Sequence, residues 1–371
     1  MGNVQCGKNR RALSAKPWEG PTMLCRRSVF LPAAGVWLAG LSLCWTATAA
    51  AAALAPEATA SGAPAAWPSG ETAAEHQARL PLWPGKGLAP GDPALPLPQR
   101  VLERSHDPAL PDRFVDHVSQ PYLVVQRPAH PNGAALLVIP GGGYQRIVLD
   151  KEGTALQPAF VDQAGLTLFI LRYRLPGEGH ADGADAPFVD AQRALRLIRS
   201  QAARWQLDPH RIGVMGFSAG GHVAASLATR YSEAVHPARD AIDRLSARPD
   251  FQLLIYPVID MTGAAAHPGS RLQLLGAQPD GTRAARYSPQ LHVDARTPPT
   301  FLLHAQDDDV VPVANALLFY DALRAAGVPA EMHLFPRGGH GFGVRGTTGL
   351  GVAAWPRLAV AWIDMQTEPA R

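Results

Sequence analysis

The sequence predicts an α/β protein with a mostly parallel central sheet and helices on both faces. Three observations carry this expectation. From about Pro121 onward, short apolar runs rich in β-forming residues recur along the chain. The stretches between them place apolar residues three and four apart, the helical period. The runs are apolar nearly throughout rather than alternating, which is the pattern of strands buried on both faces. In such sheets ligands bind beyond the carboxyl ends of the strands, so chemistry is expected directly after these runs.

In chain order, the first 55 of the 371 residues read as a leader with an export signal. Met23 makes a better start than Met1, because the basic pair Arg26-Arg27 follows it closely. An apolar stretch then runs from about Val29 to Trp45, and Ala47 and Ala49 give an A-x-A cleavage pattern. Arg26 to Phe30 loosely fits a twin-arginine signal, so export by the Sec or twin-arginine route, to the periplasm or the medium, is expected. The short apolar run, interrupted by Pro32, argues against a retained anchor, and no membrane insertion of the mature chain is expected. The leader holds six Lys/Arg and one acid, leaving 28 bases and 30 acids in the other 316 residues, a net of −2. That body carries no electrostatic footprint for nucleic acid or an anionic membrane. Cys6, Cys25 and Cys44 all lie in the leader, so the body has no internal disulfide, thiol nucleophile or thiolate metal site.

Residues 56–105 are rich in Ala, Pro and Gly without periodicity and read as a linker. Residues 106–371 read as one catalytic domain. Its strand candidates are "YLVVQ" (122–126), "AALLVIP" (134–140), "LTLFILRY" (166–173), "RIGVMGF" (211–217), "FQLLIYP" (251–257), "TFLLHA" (300–305) and "EMHLFP" (331–336). Helical stretches include 187–205, with Phe188, Ala191, Leu195 and Ile198 on one face. Another is 313–327, bounded by Pro312 and Gly327. Residues 260–298 are too many for a tight connection and are expected to form a small lid or rim.

Directly after "RIGVM" comes Gly216-Phe217-Ser218-Ala219-Gly220, a G-x-S-x-G between a strand and a helix. In that context the serine occupies a sharp turn that exposes its hydroxyl, and its neighbours two residues away must be small. Ser218 is the expected nucleophile. An acyl transfer through serine creates an oxyanion, which needs backbone N–H donors. The expected donors are Gly142 and Gly143 in the loop "VIPGGGYQ", together with Ala219. No G-K-[ST] follows that loop, which speaks against phosphate binding. His340, in a glycine-rich loop after the last strand, is the candidate base. His222 on the elbow helix and His304 at a strand end read as structural, the latter bracing an acidic loop. No histidine pair has zinc-protease spacing. The order serine, acid, histidine is that of α/β-hydrolases. The acid follows a strand, among Asp307, Asp308 and Asp309, and the residues alone leave the choice open.

From about Val118 to its end, the chain resembles α/β-hydrolases of the acetyl-xylan-esterase-like branch, which are carbohydrate acetyl esterases. The resemblance rests on "PGGGY" (140–144) with "DKEG" (150–153), "GFSAGGH" (216–222), "YPVI" (256–259), "HAQDDDVVPVANALLFYDAL" (304–323) and "GGHGFG" (338–343), in that order. In that family the acid lies in D-x-x-V-P. This implies Asp308, with Asp307 as a turn former and Asp309 as a helix-start acid. Tyr144, closing the first motif, becomes a candidate for substrate contact. Two departures stand out. Asn315-Ala316 replaces a frequent Asn-Ser. Pro140 precedes the glycines where lipases and esterases of the hormone-sensitive-lipase branch carry histidine.

The resemblance implies a serine esterase that removes short acyl groups, chiefly acetyl, from xylan or its oligosaccharides, with no cofactor or metal. Two other readings stay open. One is a serine exopeptidase of the prolyl-oligopeptidase type, although the N-terminus is too short for that family's propeller. The other is a non-catalytic hydrolase fold that only binds carbohydrate, against which the intact Ser218, Asp308 and His340 set argues.

Overall fold

All seven apolar runs form strands in the computed structural model, which describes residues 70–83, 89–93 and 97–367. The strands are β1 (Arg79–Pro81), β2 (Arg100–Glu103), β3 (Arg113–Asp116), β4 (Tyr122–Gln126), β5 (Ala135–Ile139), β6 (Ile147–Val148), β7 (Thr167–Arg172), β8 (Ile212–Phe217), β9 (Gln252–Ile255), β10 (Thr300–Ala305) and β11 (Ala330–Phe335). The helices are α1 (Ala73–Gln77), α2 (Ala186–Ser200), α3 (Ala202–Trp205), α4 (Ser218–Arg230), α5 (Pro268–Leu275), α6 (Gly281–Arg286), α7 (Ala314–Ala325) and α8 (Trp355–Thr367). Eight strands build the main sheet in the order β1-β4-β7-β5-β8-β9-β10-β11. β1 and β4 run antiparallel to their neighbours, and β7 through β11 pair in parallel. This is the α/β-hydrolase fold.

The side-chain period of two divides each strand between two cores. On β5, Leu137 and Ile139 join a cluster with Leu195 of α2, Val223 of α4 and Phe319 of α7. Leu136 and Val138 join the opposite cluster, with Phe301 of β10 and Trp355 and Ile363 of α8. Both faces are therefore dry, which explains why the strands read as continuous apolar runs. The chain passes from β5 to β7 on one side and returns to β8 on the other. The crevice beyond the carboxyl ends of β5 and β8 is thus the topological switch point, where ligands bind in such sheets.

The expected linker is a correction. The leader and residues 56–69, 84–88 and 94–96 lie outside the described residues, but the described part of 56–105 contributes α1, β1 and β2. Thr72 and Glu75 form a capping box on α1. β1 adds to the sheet edge beside β4, with Leu80 opposite Leu123. β2 pairs with β3 in a separate three-stranded sheet, β2-β3-β6. Buried Arg113 joins the pieces, 2.9 Å from Glu75 and 2.7 Å from Asp150. Order here comes from long-range pairing and ion pairs, which local composition does not report. The 260–298 stretch folds as α5, α6 and a short turn, Pro289–Leu291. Among the described residues no helix is long and apolar enough to cross a membrane.

Candidate active site

The turn from β8 into α4 holds Ser218 at φ 52°, a left-handed conformation that a non-glycine residue adopts at a cost. The turn is tight enough that a Cβ on Gly220 would collide with the carbonyl oxygen of Ile139. Ser218 Oγ lies 2.9 Å from His340 Nε2. His340 Nδ1 lies 2.7 Å from Asp308 Oδ2. Asp308 follows β10, with its side chain fully buried. Its other oxygen accepts the N–H groups of Val310 and Val311 at 3.0 and 2.8 Å. Burial opposes its charge, but hydrogen bonds from His304, from His340 and from the Val311 N–H hold its carboxyl well below the usual range. An ionised carboxylate only accepts, so His340 Nδ1 carries the proton. Nε2 is then free to accept from the Ser218 hydroxyl. The arrangement can deprotonate a serine as it attacks and return the proton to a leaving group.

The three aspartates divide by direction. Asp308 alone faces His340. Asp307 accepts the N–H groups of Gly338 and Gly339, at 2.9 and 2.8 Å, and so clamps the loop that carries His340. It is more than a turn former. Asp309 is exposed and is not a helix-start acid, since the N-cap of α7 is Val313 with no side-chain bond. His304 braces the acidic loop as expected, with Nε2 3.1 Å from Asp308 and 3.0 Å from the Val311 carbonyl. Asn315 bonds the Ile259 and Asp260 N–H groups and the Ala265 and Pro312 carbonyls, so the neighbouring Ala316 costs that helix contact nothing.

The glycine loop after β5 reaches the same point. Gly142 has φ 136° and leaves no room for a Cβ against the Arg146 carbonyl. The N–H groups of Gly142 and Gly143 make no hydrogen bond to any described residue. Ala219 sits in the first turn of α4, where an N–H has no partner within its helix. The loop is pinned by two residues whose part the sequence did not reveal. Buried Glu152 accepts the Gly141 N–H at 2.7 Å and the Tyr256 hydroxyl at 3.0 Å. That hydroxyl in turn accepts the Gly343 N–H at 3.0 Å. The Tyr256 ring stands edge-on to His340, with centroids 5.1 Å apart. One carboxylate thus ties the glycine loop to the histidine loop. The available signal was the motif "DKEG" (150–153), which places Glu152 close behind the glycines.

Tyr144 corrects a further expectation. Its φ of 63° turns the side chain inward, where it is buried and absent from the cavity wall. Its hydroxyl lies 2.6 Å from His222 Nδ1, and His222 Nε2 lies 2.6 Å from the Tyr287 carbonyl. A carbonyl accepts only, so Nε2 carries the proton and Nδ1 accepts from Tyr144. Burial lowers the His222 pKa to about 4, which keeps this ring neutral. Tyr144→Phe leaves a buried ring nitrogen without a donor. It should cost about 1–3 kcal/mol of stability in urea unfolding while leaving turnover within about twofold. A large loss of turnover at unchanged stability would return Tyr144 to the substrate.

Ser218, His340, Gly142, Gly143, Glu152 and His267 line one cavity of about 350 Å³. His267, the N-cap of α5, and Gly269 within that helix belong to its wall. A larger recess of about 710 Å³ lies near Glu71, Arg79 and Tyr122 by the β1 edge, and none of the residues above lines it.

Residues 113–323 match the BD-FAE family model. The chain is 34% identical over 225 residues to an acetylxylan esterase of Xylanibacter ruminicola, covering 60% of this chain and 43% of that protein. It is 38% identical over 209 residues to endo-1,4-beta-xylanase B of Butyrivibrio fibrisolvens, covering 56% and 32%. It therefore spans less than half the length of these two curated relatives. Among solved structures, an acetyl ester-xyloside bifunctional hydrolase from Caldicellulosiruptor lactoaceticus superposes with a TM-score of 0.62 at 35% identity. That match covers 77% of this chain and 95% of the other.

Proposed function

Because the chain belongs to the BD-FAE family, we propose that it is a serine carboxylic-ester hydrolase that removes acetyl and similar short acyl groups from xylan or its oligosaccharides. The observation that carries this reading is the unbroken line from Ser218 Oγ to His340 to Asp308, at 2.9 and 2.7 Å, beside N–H groups of the glycine loop that have no partner among the described residues. Ser218 attacks the ester carbonyl as His340 Nε2 takes its proton. Asp308 fixes the His340 tautomer and stabilises the imidazolium. Gly142, Gly143 and Ala219 hold the oxyanion. The alcohol leaves with the proton from His340. Water, deprotonated by His340, then releases the acid and restores the serine. Similarity to an acetylxylan esterase and to an acetyl ester-xyloside hydrolase supports the acyl group and the saccharide. The leader supports export, which suits a polymer met outside the cytoplasm.

The test is acetate release from acetylated xylan by the full chain, with 4-nitrophenyl acetate in parallel. Acetate from both substrates is expected. Cleavage of the aryl ester with xylan left intact would keep the catalytic reading and remove the polysaccharide.

A further inference from the structure

The cavity that holds Ser218 and His340 is also walled by Arg104, Arg146 and Lys151. The small sheet supplies the first two. Arg104 follows β2 and Arg146 precedes β6, and their guanidinium carbons lie 5.6 and 5.3 Å from the centroid of the Phe114 ring on β3. Arg104 has a carboxylate partner, Asp112, at 2.7 Å. Arg146 and Lys151 have no carboxylate partner among the described residues. Lys151 is also the only lysine among the described residues, in a chain that otherwise takes its positive charge from arginine. Its Nζ lies 3.6 Å from where a Cβ on Gly341 would stand, one residue from His340. The single acid in the wall, Glu152, is already engaged by the Gly141 N–H and the Tyr256 hydroxyl.

This excess of positive charge does not come from bulk composition, since the body as a whole is slightly acidic. Hydrolysis of a neutral ester does not call for it either. A fixed cation beside His340 disfavours the imidazolium that the reaction must form. Asp112 offsets Arg104, so Arg146 and Lys151 are the cations of this wall that no carboxylate pairs among the described residues. An ammonium on a flexible stem and a planar guanidinium are instead suited to bind a carboxylate together.

We propose that this cavity selects esters that carry a carboxylate near the scissile bond, with Lys151 and Arg146 as its specificity-determining contacts. The inference rests on the esterase reading and names its substrate class. For a saccharide, that class is an acetylated oligosaccharide with a uronic-acid branch. The same charge could instead sit on the acyl group, and the experiment separates the two sources.

The experiment compares kcat/KM for the full chain within two pairs. One pair is acetylated xylo-oligosaccharides with and without a uronate branch. The other is 4-nitrophenyl hemisuccinate and 4-nitrophenyl butyrate. The carboxylate-bearing member of one pair should be favoured by about tenfold at low salt, and the preference should shrink in about 0.5 M salt. Lys151→Gln and Arg146→Gln should each lower the charged-to-neutral ratio by about fivefold. Because a ratio is read, a variant that folds less well still reports on charge. Equal turnover within both pairs, with 4-nitrophenyl acetate still cleaved, overturns the charge inference and leaves the esterase reading intact. No cleavage of 4-nitrophenyl acetate overturns both.

Discussion

Ser218→Ala is expected to lower kcat for 4-nitrophenyl acetate by roughly a million-fold, the scale seen when a serine hydrolase loses its nucleophile. The physical reason is that, among the described residues, Ser218 Oγ is the one hydroxyl within hydrogen-bond reach of His340 Nε2. With it gone, His340 can only act on water, and the covalent route closes. KM should change little, because the cavity wall and the oxyanion donors remain. The fold should survive, since alanine is smaller and meets the same φ of 52° at the same cost as serine. Initial rates and a melting curve on the same preparation check both halves. Residual turnover above about 1% of wild type, from protein free of wild-type contamination, would show that another group attacks the ester.

Asp308→Asn is expected to lower kcat by about ten-thousand-fold, far more than either neighbouring aspartate variant. Asp308 accepts four hydrogen bonds, from His340, His304, Val310 and Val311. An asparagine has one acceptor oxygen and a donor amide. With its oxygen toward Val310 and Val311, the amide group faces His340 Nδ1 and donates to it. The proton on His340 then moves to Nε2, and the ring can no longer accept from Ser218. Asp307→Asn keeps an acceptor for Gly338 and Gly339 but loses charge, so a loss of about tenfold is expected through a looser histidine loop. Asp309→Asn should stay within about twofold, because its side chain is exposed. Rates for the three variants, with far-UV circular dichroism to confirm folding, give the order. A larger loss in Asp307→Asn or Asp309→Asn than in Asp308→Asn would remove Asp308 from its assigned role.

These predictions draw on features that were unequally legible in the sequence. Ser218, Gly142 and Gly143 could be read because the demands on them are local. A strand that turns sharply into a helix needs small neighbours, and a glycine loop after a strand leaves its mark in a few residues. The seven main strands were equally plain, since burial on both faces leaves continuous apolar runs. The aspartate was a different matter. Three adjacent carboxylates look alike until the loop direction is known, and only the D-x-x-V-P resemblance separated them.

What the sequence hid was long-range. Glu152 acts through Tyr256 and Gly343, residues far away in the chain, and no local pattern announces such a bridge. β1 and β2 lie in a stretch whose composition suggests a linker, and they are ordered by β4, β3 and buried Arg113. The misreading had a consequence, because that stretch delivers Arg104 to the cavity wall. Tyr144 was misplaced for the opposite reason. It adjoins the glycine loop in sequence, but its backbone turns it into the core.

The proposed chemistry requires Ser218 to form a covalent intermediate, and a serine-directed organophosphate reads this directly. The full chain would be incubated with diethyl 4-nitrophenyl phosphate, digested and mapped by mass spectrometry. The expected result is a single diethylphosphoryl adduct on the peptide that holds Ser218, absent from Ser218→Ala and formed much more slowly in Asp308→Asn. An unmodified Ser218 in folded wild-type protein, or an adduct confined to another residue, would contradict it.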